Sequence, residues 1–251
     1  MRSFNKMIMA TALLAFVICA VAVPVKASGP GTTVNVQVQG FTSIKIGGPF
    51  EVHITQGTTE SVKYRAPAYL LSHIITEVDH GVLKVQRKYE GWSWTIHKWW
   101  SDENFWRNQD RVVVYISAQQ LKGLTASGST NVFFDNPVSA NSLTLRTRGS
   151  AIINGKVAVK FLEGRVSGSG QMNVSGSADK SAIRVSGSGQ FTGKQLVTGI
   201  SSVLVSGSGQ ADVFASDKVD ATVHGSGVIS YTGQPKSVSR STSGSGEIKS
   251  Y

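Results

Sequence analysis

The sequence predicts an all-β protein whose body is a β-solenoid of about 19-residue coils, and three observations lead there. Gly-Ser pairs begin at Gly128, Gly149, Gly168, Gly187, Gly207, Gly225 and Gly244, at spacings of 21, 19, 19, 20, 18 and 19. Three of these corners read VSGSGQ, at residues 166–171, 185–190 and 205–210. Between corners, apolar and polar residues alternate with the period of two expected of strands buried on one face. A flexible Gly/Ser linker shows no such alternation, whereas a fixed repeat of this length marks stacked supersecondary units.

The first 27 residues read as an export signal. Arg2 and Lys6 precede 17 uncharged residues, 7–23, and Val25-Lys26-Ala27 offers a small-residue cleavage site before Ser28. The run is short for a spanning helix, and Cys19 follows Ile18 where a lipidation signal calls for a small residue. Cleavage removes the only cysteine, so the mature chain has no disulfide and no thiol nucleophile or ligand. Residues 28–39 form a short N-terminal segment before the domain at 40–251.

Within that domain, VNVQV, FTSIKI, PFEVHIT, SVKYRA, VLKVQR and RVVVYIS carry strand patterns up to residue 117. Gly47-Gly48, Gln56-Gly57 and His80-Gly81 mark turns between them. These strands serve either as a cap or as first coils, and periodicity leaves both open. An insertion at 91–110 interrupts them. From residue 118 onward the repeat sets the register. Two residues before each repeat glycine stand Thr147, Val166, Val185, Val205, Val223 and Thr242. Four before stand Leu145, Gly164, Ile183, Val203, Ala221 and Arg240; four after stand Val132, Ile153, Met172, Phe191, Ala211, Ile229 and Ile248. These columns form the predicted core, with looser turns at Gly155, Gly176, Gly193 and Gly233. The general crossover preference favours a right-handed β-helix.

The order of FTSIKIGGPFEVHITQG, GVLKVQR, VVVYISAQQLKGLTASGS and the serial SGSG corners resembles the head GIN domain of auto-transporter adhesins. The resemblance covers about residues 40–251 and implies an exported or surface β-helical protein without an established enzymatic activity. No membrane-barrel strands follow before Tyr251, so self-translocation is not expected of this chain.

Candidate chemistry is sparse, and no catalytic residue, metal site or cofactor is assigned. The five histidines, His53, His73, His80, His97 and His224, lie in no metal-ligand spacing and read as surface or cap residues. The serines recur in every coil, which is the mark of a structural residue. From Ala118 on, the acids are Asp135, Glu163, Asp179, Asp212, Asp217, Asp220 and Glu247, at scattered repeat positions, not as a catalytic pair. Gln171, Gln190 and Gln210 stand where calcium-binding repeats place Asp, and are expected to stack as an outer ladder.

Two features point to binding. Trp92, Trp94, Trp99, Trp100 and Trp106 crowd the insertion, as a local lid or as a contact patch for glycan, membrane interface or protein. Arg146, Arg165 and Arg184 each stand three residues before a repeat glycine, on the outward parity. Stacking would hold them about 5 Å apart, balanced either by bound anions or by solvent screening. The chain carries a net charge of +10, and loss of Arg2, Lys6 and Lys26 leaves +7. That balance favours an anionic partner, acidic polysaccharide, lipid phosphate or nucleic acid, of which export makes nucleic acid the least expected; another surface protein is the remaining candidate partner. The reading is a non-enzymatic envelope or surface scaffold, with a purely structural module or a polysaccharide-modifying enzyme as its rivals.

The signal assignment predicts a mature N-terminus at or near Ser28, checked by intact mass of the exported protein; an uncut chain in the inner membrane would reverse it.

Overall fold

The computed structural model describes residues 32–88 and 112–251, so the export signal and the five tryptophans lie outside the described residues. What organises the rest is one glycine column. Gly128, Gly149, Gly168, Gly187, Gly207, Gly225 and Gly244 all have positive φ, between 72° and 112°. Each would place a Cβ against the glycine of the preceding coil, 2.8 Å from its carbonyl oxygen at Gly187, Gly207 and Gly225. Only glycine accepts both the backbone conformation and the approach. The residue after each glycine continues the ladder: the backbone amides of Ser169, Ser188 and Ser208 donate at 3.0 Å to Gly149, Gly168 and Gly187.

The strands in chain order are β1 (Thr32–Val36), β2 (Ser43–Gly47), β3 (Phe50–Gln56), β4 (Ser61–Ala66), then a single helical turn α1 (Ala68–Leu71), β5 (Ile74–Asp79), β6 (Val82–Arg87), β7 (Val112–Ala118), β8 (Gly123–Gly128) and β9 (Asn131–Phe134). The repeat region follows as β10 (Val138–Gly149), β11 (Ile152–Gly168), β12 (Gln171–Gly187), β13 (Gln190–Gly193), β14 (Leu196–Gly207), β15 (Gln210–Phe214), β16 (Lys218–Gly225), β17 (Val228–Thr232), β18 (Ser237–Ser243) and β19 (Glu247–Ser250). Every repeat strand pairs in parallel with its equivalent one coil away; β11 and β12, for example, run in register from Ile152↔Gln171 to Gly168↔Gly187.

The three core columns are buried from Val132 to Ile229. Each coil also has a third inward run that the corner-and-turn reading did not separate: Val157 and Val159, or Leu196 and Thr198. Exposed pairs such as Lys160-Phe161 break the alternation between runs, so the long strands bend there and the coil is three-sided. Gly164 leaves room in the core, since a Cβ on it would lie 2.9 Å from Ile183 Cδ1 and 3.3 Å from Met172 Sδ. Ser181 and Ser201, both buried, satisfy each other through a 2.9 Å hydrogen bond.

The N-terminal strands are coils and cap together. Strands β2 and β3 form a full coil with Gly48 at its corner, where a Cβ on Gly128 would lie 3.5 Å from the Gly48 amide. One side of this coil pairs with β8 and β9; the other pairs with β6 and β7, which come later in sequence. Stacking order therefore departs from chain order. Antiparallel strands then close the end: β4 on β7, β1 on β4, and β5 on β6. Gln86 pairs with Gly47 and Val112 with Phe50, so the described flanks on either side of residues 89–111 meet the β2–β3 coil on either side of Gly48 and Pro49.

At the other end two of the three core columns finish in polar residues, and the third in the partly buried Ile248. Arg240 and Thr242 occupy inward positions over Ala221 and Val223 and are exposed. The Arg240 guanidinium lies 5.2 Å from the Tyr231 ring centroid and donates to the Tyr231 hydroxyl. A charged, inward-pointing residue blunts an open sheet edge against adding further strands.

Gly207→Ala combines a φ of +107° with a 2.8 Å approach to the Gly187 oxygen and should cost about 2–4 kcal/mol. The exposed neighbour Ser208→Ala should change stability by less than about 0.5 kcal/mol. Urea unfolding of the two variants separates them; equal midpoints would contradict the corner packing.

Candidate functional site

The three arginines predicted to align do share one column. Arg146 pairs with Arg165 and Arg165 with Arg184, on strands β10, β11 and β12. They face outward because Leu145, Thr147 and their equivalents in the next coils take the inward parity. Successive coils lie about 4.8 Å apart, so three guanidinium groups share a strip about 10 Å long.

The structure adds an internal counter-charge to the choice between bound anions and solvent. Glu163, two residues before Arg165 on the same outward face, accepts a 2.8 Å hydrogen bond from Arg165 Nε and a second from Arg165 Nη2. Its Oε2 lies 3.7 Å from Arg146 Nη2 and accepts from the Thr144 hydroxyl at 3.2 Å. The Arg165 hydrogen bonds hold the Glu163 carboxyl below its ordinary range against the opposing effect of burial, so it is ionised at neutral pH. Arg146 Nε is buried without a hydrogen-bond partner.

The cationic strip is also longer than three residues. Lys45 pairs with Thr125, which pairs with Arg146, so Lys45 sits in the same column two coils away. Arg148 is outward and exposed beside Arg146. Lys45, Arg148 and Arg184 have no ion-pair partner among the described residues. Lys84, next in the column, is already engaged by Asp79 at 2.7 Å and Glu77 at 3.5 Å. Arg148 could have been found from its parity with Arg146. Lys45 could not, because nothing local shows that β2 stacks on β8.

A different side of the solenoid carries the amides. Gln171, Gln190 and Gln210 occupy one register column, and Asn173 Nδ2 donates at 2.8 Å to Asn154 Oδ1 in the neighbouring column. Asp217 is held by Lys236 at 2.7 Å and Asp220 by Lys218 at 3.0 Å. No group of three His, Cys, Asp or Glu side chains suited to a metal ion occurs among the described residues.

His53 has a structural role that sequence spacing did not reveal. Its ring stacks between Tyr115 and Phe133, its register partners on β7 and β9, at centroid separations of 5.3 and 5.4 Å. Nδ1 lies 2.8 Å from Asp135 Oδ1 and Nε2 lies 3.3 Å from Glu51 Oε1. Only the imidazolium can donate to both carboxylates. Burial works against that charge, but the hydrogen bonds and charges of Asp135 and Glu51 outweigh it and raise the His53 pKa above its ordinary value. His53 thus ties three consecutive coils together.

Comparison with known proteins places this architecture. The family described as "putative auto-transporter adhesin, head GIN domain" matches residues 40–235. Among solved structures, a putative adhesin from Bacteroides fragilis NCTC 9343 superposes with a TM-score of 0.78 at 21% identity, covering 89% of this chain and 98% of its own. A putative lipid binding protein from Parabacteroides distasonis ATCC 8503 gives 0.68 at 21% identity over 89% and 97%. A putative adhesin from Parabacteroides merdae ATCC 43184 gives 0.64 at 18% over 90% and 98%. At these identities the likeness establishes a shared fold. No functionally curated protein matches the sequence.

A folded-state pKa raised above the unfolded one contributes stability that is complete below the unfolded value and lost as pH rises through the folded value. The melting-temperature advantage of the wild type over His53→Gln should therefore be largest near about pH 5.5 and shrink by about pH 8.5. An advantage independent of pH would mean that the stacking, and not the charge, is what holds the coils.

Proposed function

Since the chain belongs to the putative auto-transporter adhesin, head GIN domain family, we propose that it is an exported, non-enzymatic binding scaffold whose ligand is an extended anion, an acidic polysaccharide or a phosphate-bearing lipid surface. One observation carries the reading. Arg146, Arg165 and Arg184 stand in register on an exposed sheet face, with Lys45 and Arg148 beside them, and Glu163 is the acid among them. Guanidinium groups stay charged at any working pH and match carboxylate or phosphate oxygens in pairs. A solenoid holds such groups at a fixed pitch, so the orientation of a bound chain follows from the fold with little ordering of the protein. The Trp-bearing insertion at 91–110 is proposed as a second contact patch of the same scaffold.

Replacing Arg146, Arg165 and Arg184 together with Gln should weaken binding to polygalacturonate by about tenfold at low salt, each exposed charge contact being worth about 0.5 kcal/mol. Wild-type binding should itself fall with salt as the Debye length shrinks from about 10 Å at 0.1 M to about 3 Å at 1 M. Vesicles of phosphatidylglycerol in a parallel sedimentation assay separate a lipid surface from a polysaccharide as the source of the anions. If the triple variant and wild type bind both probes equally at low salt, the row is a solvated face and the protein is a structural envelope module.

A further inference from the structure

We propose that Glu163 is a built-in competing anion that occupies the centre of the cationic strip and makes it selective for polyanions over single anions; this rests on the anion-binding reading above. Glu163 already makes the contacts that a ligand carboxylate would make. It receives two hydrogen bonds from Arg165, approaches Arg146 Nη2 at 3.7 Å, and is held in place by the Thr144 hydroxyl at 3.2 Å. Being part of the chain, it acts at a high effective concentration. A small anion that displaced it would exchange one carboxylate-guanidinium pair for another and lose its own translational freedom, so little net binding remains.

The flanks are arranged differently. Arg148 sits beside Arg146 on β10, Arg184 sits two coils away on β12, and Lys45 sits two coils away in the opposite direction on β2. None of the three has an ion-pair partner among the described residues. Arg148 and Arg184 are therefore separated by about 10 Å along the solenoid axis, with the Glu163 pair between them. A ligand with several anionic groups along its length can engage both flanks at once. Its second contact is then intramolecular, which multiplies the affinity of the first. A ligand with one anionic group finds only isolated surface cations, each worth little. Glu163 thus sets a threshold of valency, and the strip Lys45, Arg148, Arg184 supplies the reach.

Glu163→Gln keeps the shape and the Thr144 contact while removing the charge. It should raise affinity for polygalacturonate about three- to tenfold at low salt, and it should bind inorganic sulfate at millimolar concentration where the wild type is expected not to. Thr144→Val, which only loosens Glu163, should shift both in the same direction by less. In the unmodified protein, the Arg165 Nε–H resonance should move on titration with polygalacturonate and not with sulfate. If wild type binds polygalacturonate and Glu163→Gln binds it no more tightly, this role for Glu163 is wrong while the anion-binding reading stands. If only Glu163→Gln binds, Glu163 blocks the strip outright and the reading of the wild-type function fails. If neither binds, both are overturned. Sulfate binding by the wild type as tight as by Glu163→Gln would likewise sink the selectivity argument.

Discussion

Everything else in this molecule depends on how closely one coil's corner can approach the next. At the repeat glycines from Gly168 onward the backbone of one coil lies against the carbonyl of the coil before it, so close that a methyl group would intrude to 2.5–2.9 Å. From Gly168 onward each corner has a second glycine, and it is equally confined: a Cβ on Gly209 would lie 2.7 Å from both Val185 Cγ1 and the Gly189 oxygen. Removing either hydrogen for a side chain pushes neighbouring coils apart, and the parallel ladder loses its pitch on all three sides of the coil. Glycine is usually a cost to an ordered strand. Here it is the condition for closing the corner, and the ladder hydrogen bonds and buried columns on either side are what make the exchange favourable.

A fixed pitch has consequences for charge. Residues at equivalent positions cannot avoid one another, so any cation repeated in consecutive coils stands beside its copy. Arg146, Arg165 and Arg184 meet this by different means. Two share Glu163, and the third is left to solvent or to a ligand. The same pitch turns three aromatic or heteroaromatic rings into a stack at His53, whose two ring nitrogens reach Asp135 in the next coil and Glu51 in its own. Regularity therefore converts isolated side chains into rows whose properties belong to the row.

The ends answer a separate problem, because a solenoid is an open sheet on both sides. The C-terminal coil keeps the backbone register and the inward Val238 and Ile248, but places Arg240 and Thr242 over Ala221 and Val223. The N-terminal end reverses strand direction, with β1, β4 and β5 laid antiparallel against the last parallel strands. Among the described residues no helix is long and apolar enough to cross a membrane; the N-terminal end of the stack is covered by antiparallel strands, while the C-terminal coil leaves β18 and β19 as edge strands.

From Gly128 to Gly244 the sequence by itself determined the architecture, because a glycine every 19 or so residues and strict alternation leave one way to bury the apolar face. The core columns and the alignment of the arginines follow from counting alone, since in-register parallel stacking copies position onto position. What counting could not reach was anything that depends on which coils are neighbours when chain order and stacking order differ. The β2–β3 coil has Gly48-Pro49 where the later corners have Gly-Ser, so its membership in the column is hidden, and with it the place of Lys45. The partnership of Glu163 with Arg146 and the clamp of His53 by Asp135, 82 residues away, likewise exist only once coils are stacked. Local periodicity specifies which way a side chain faces; only the tertiary structure decides what it faces, because charge and hydrogen bonding act across coils at distances that chain separation does not measure.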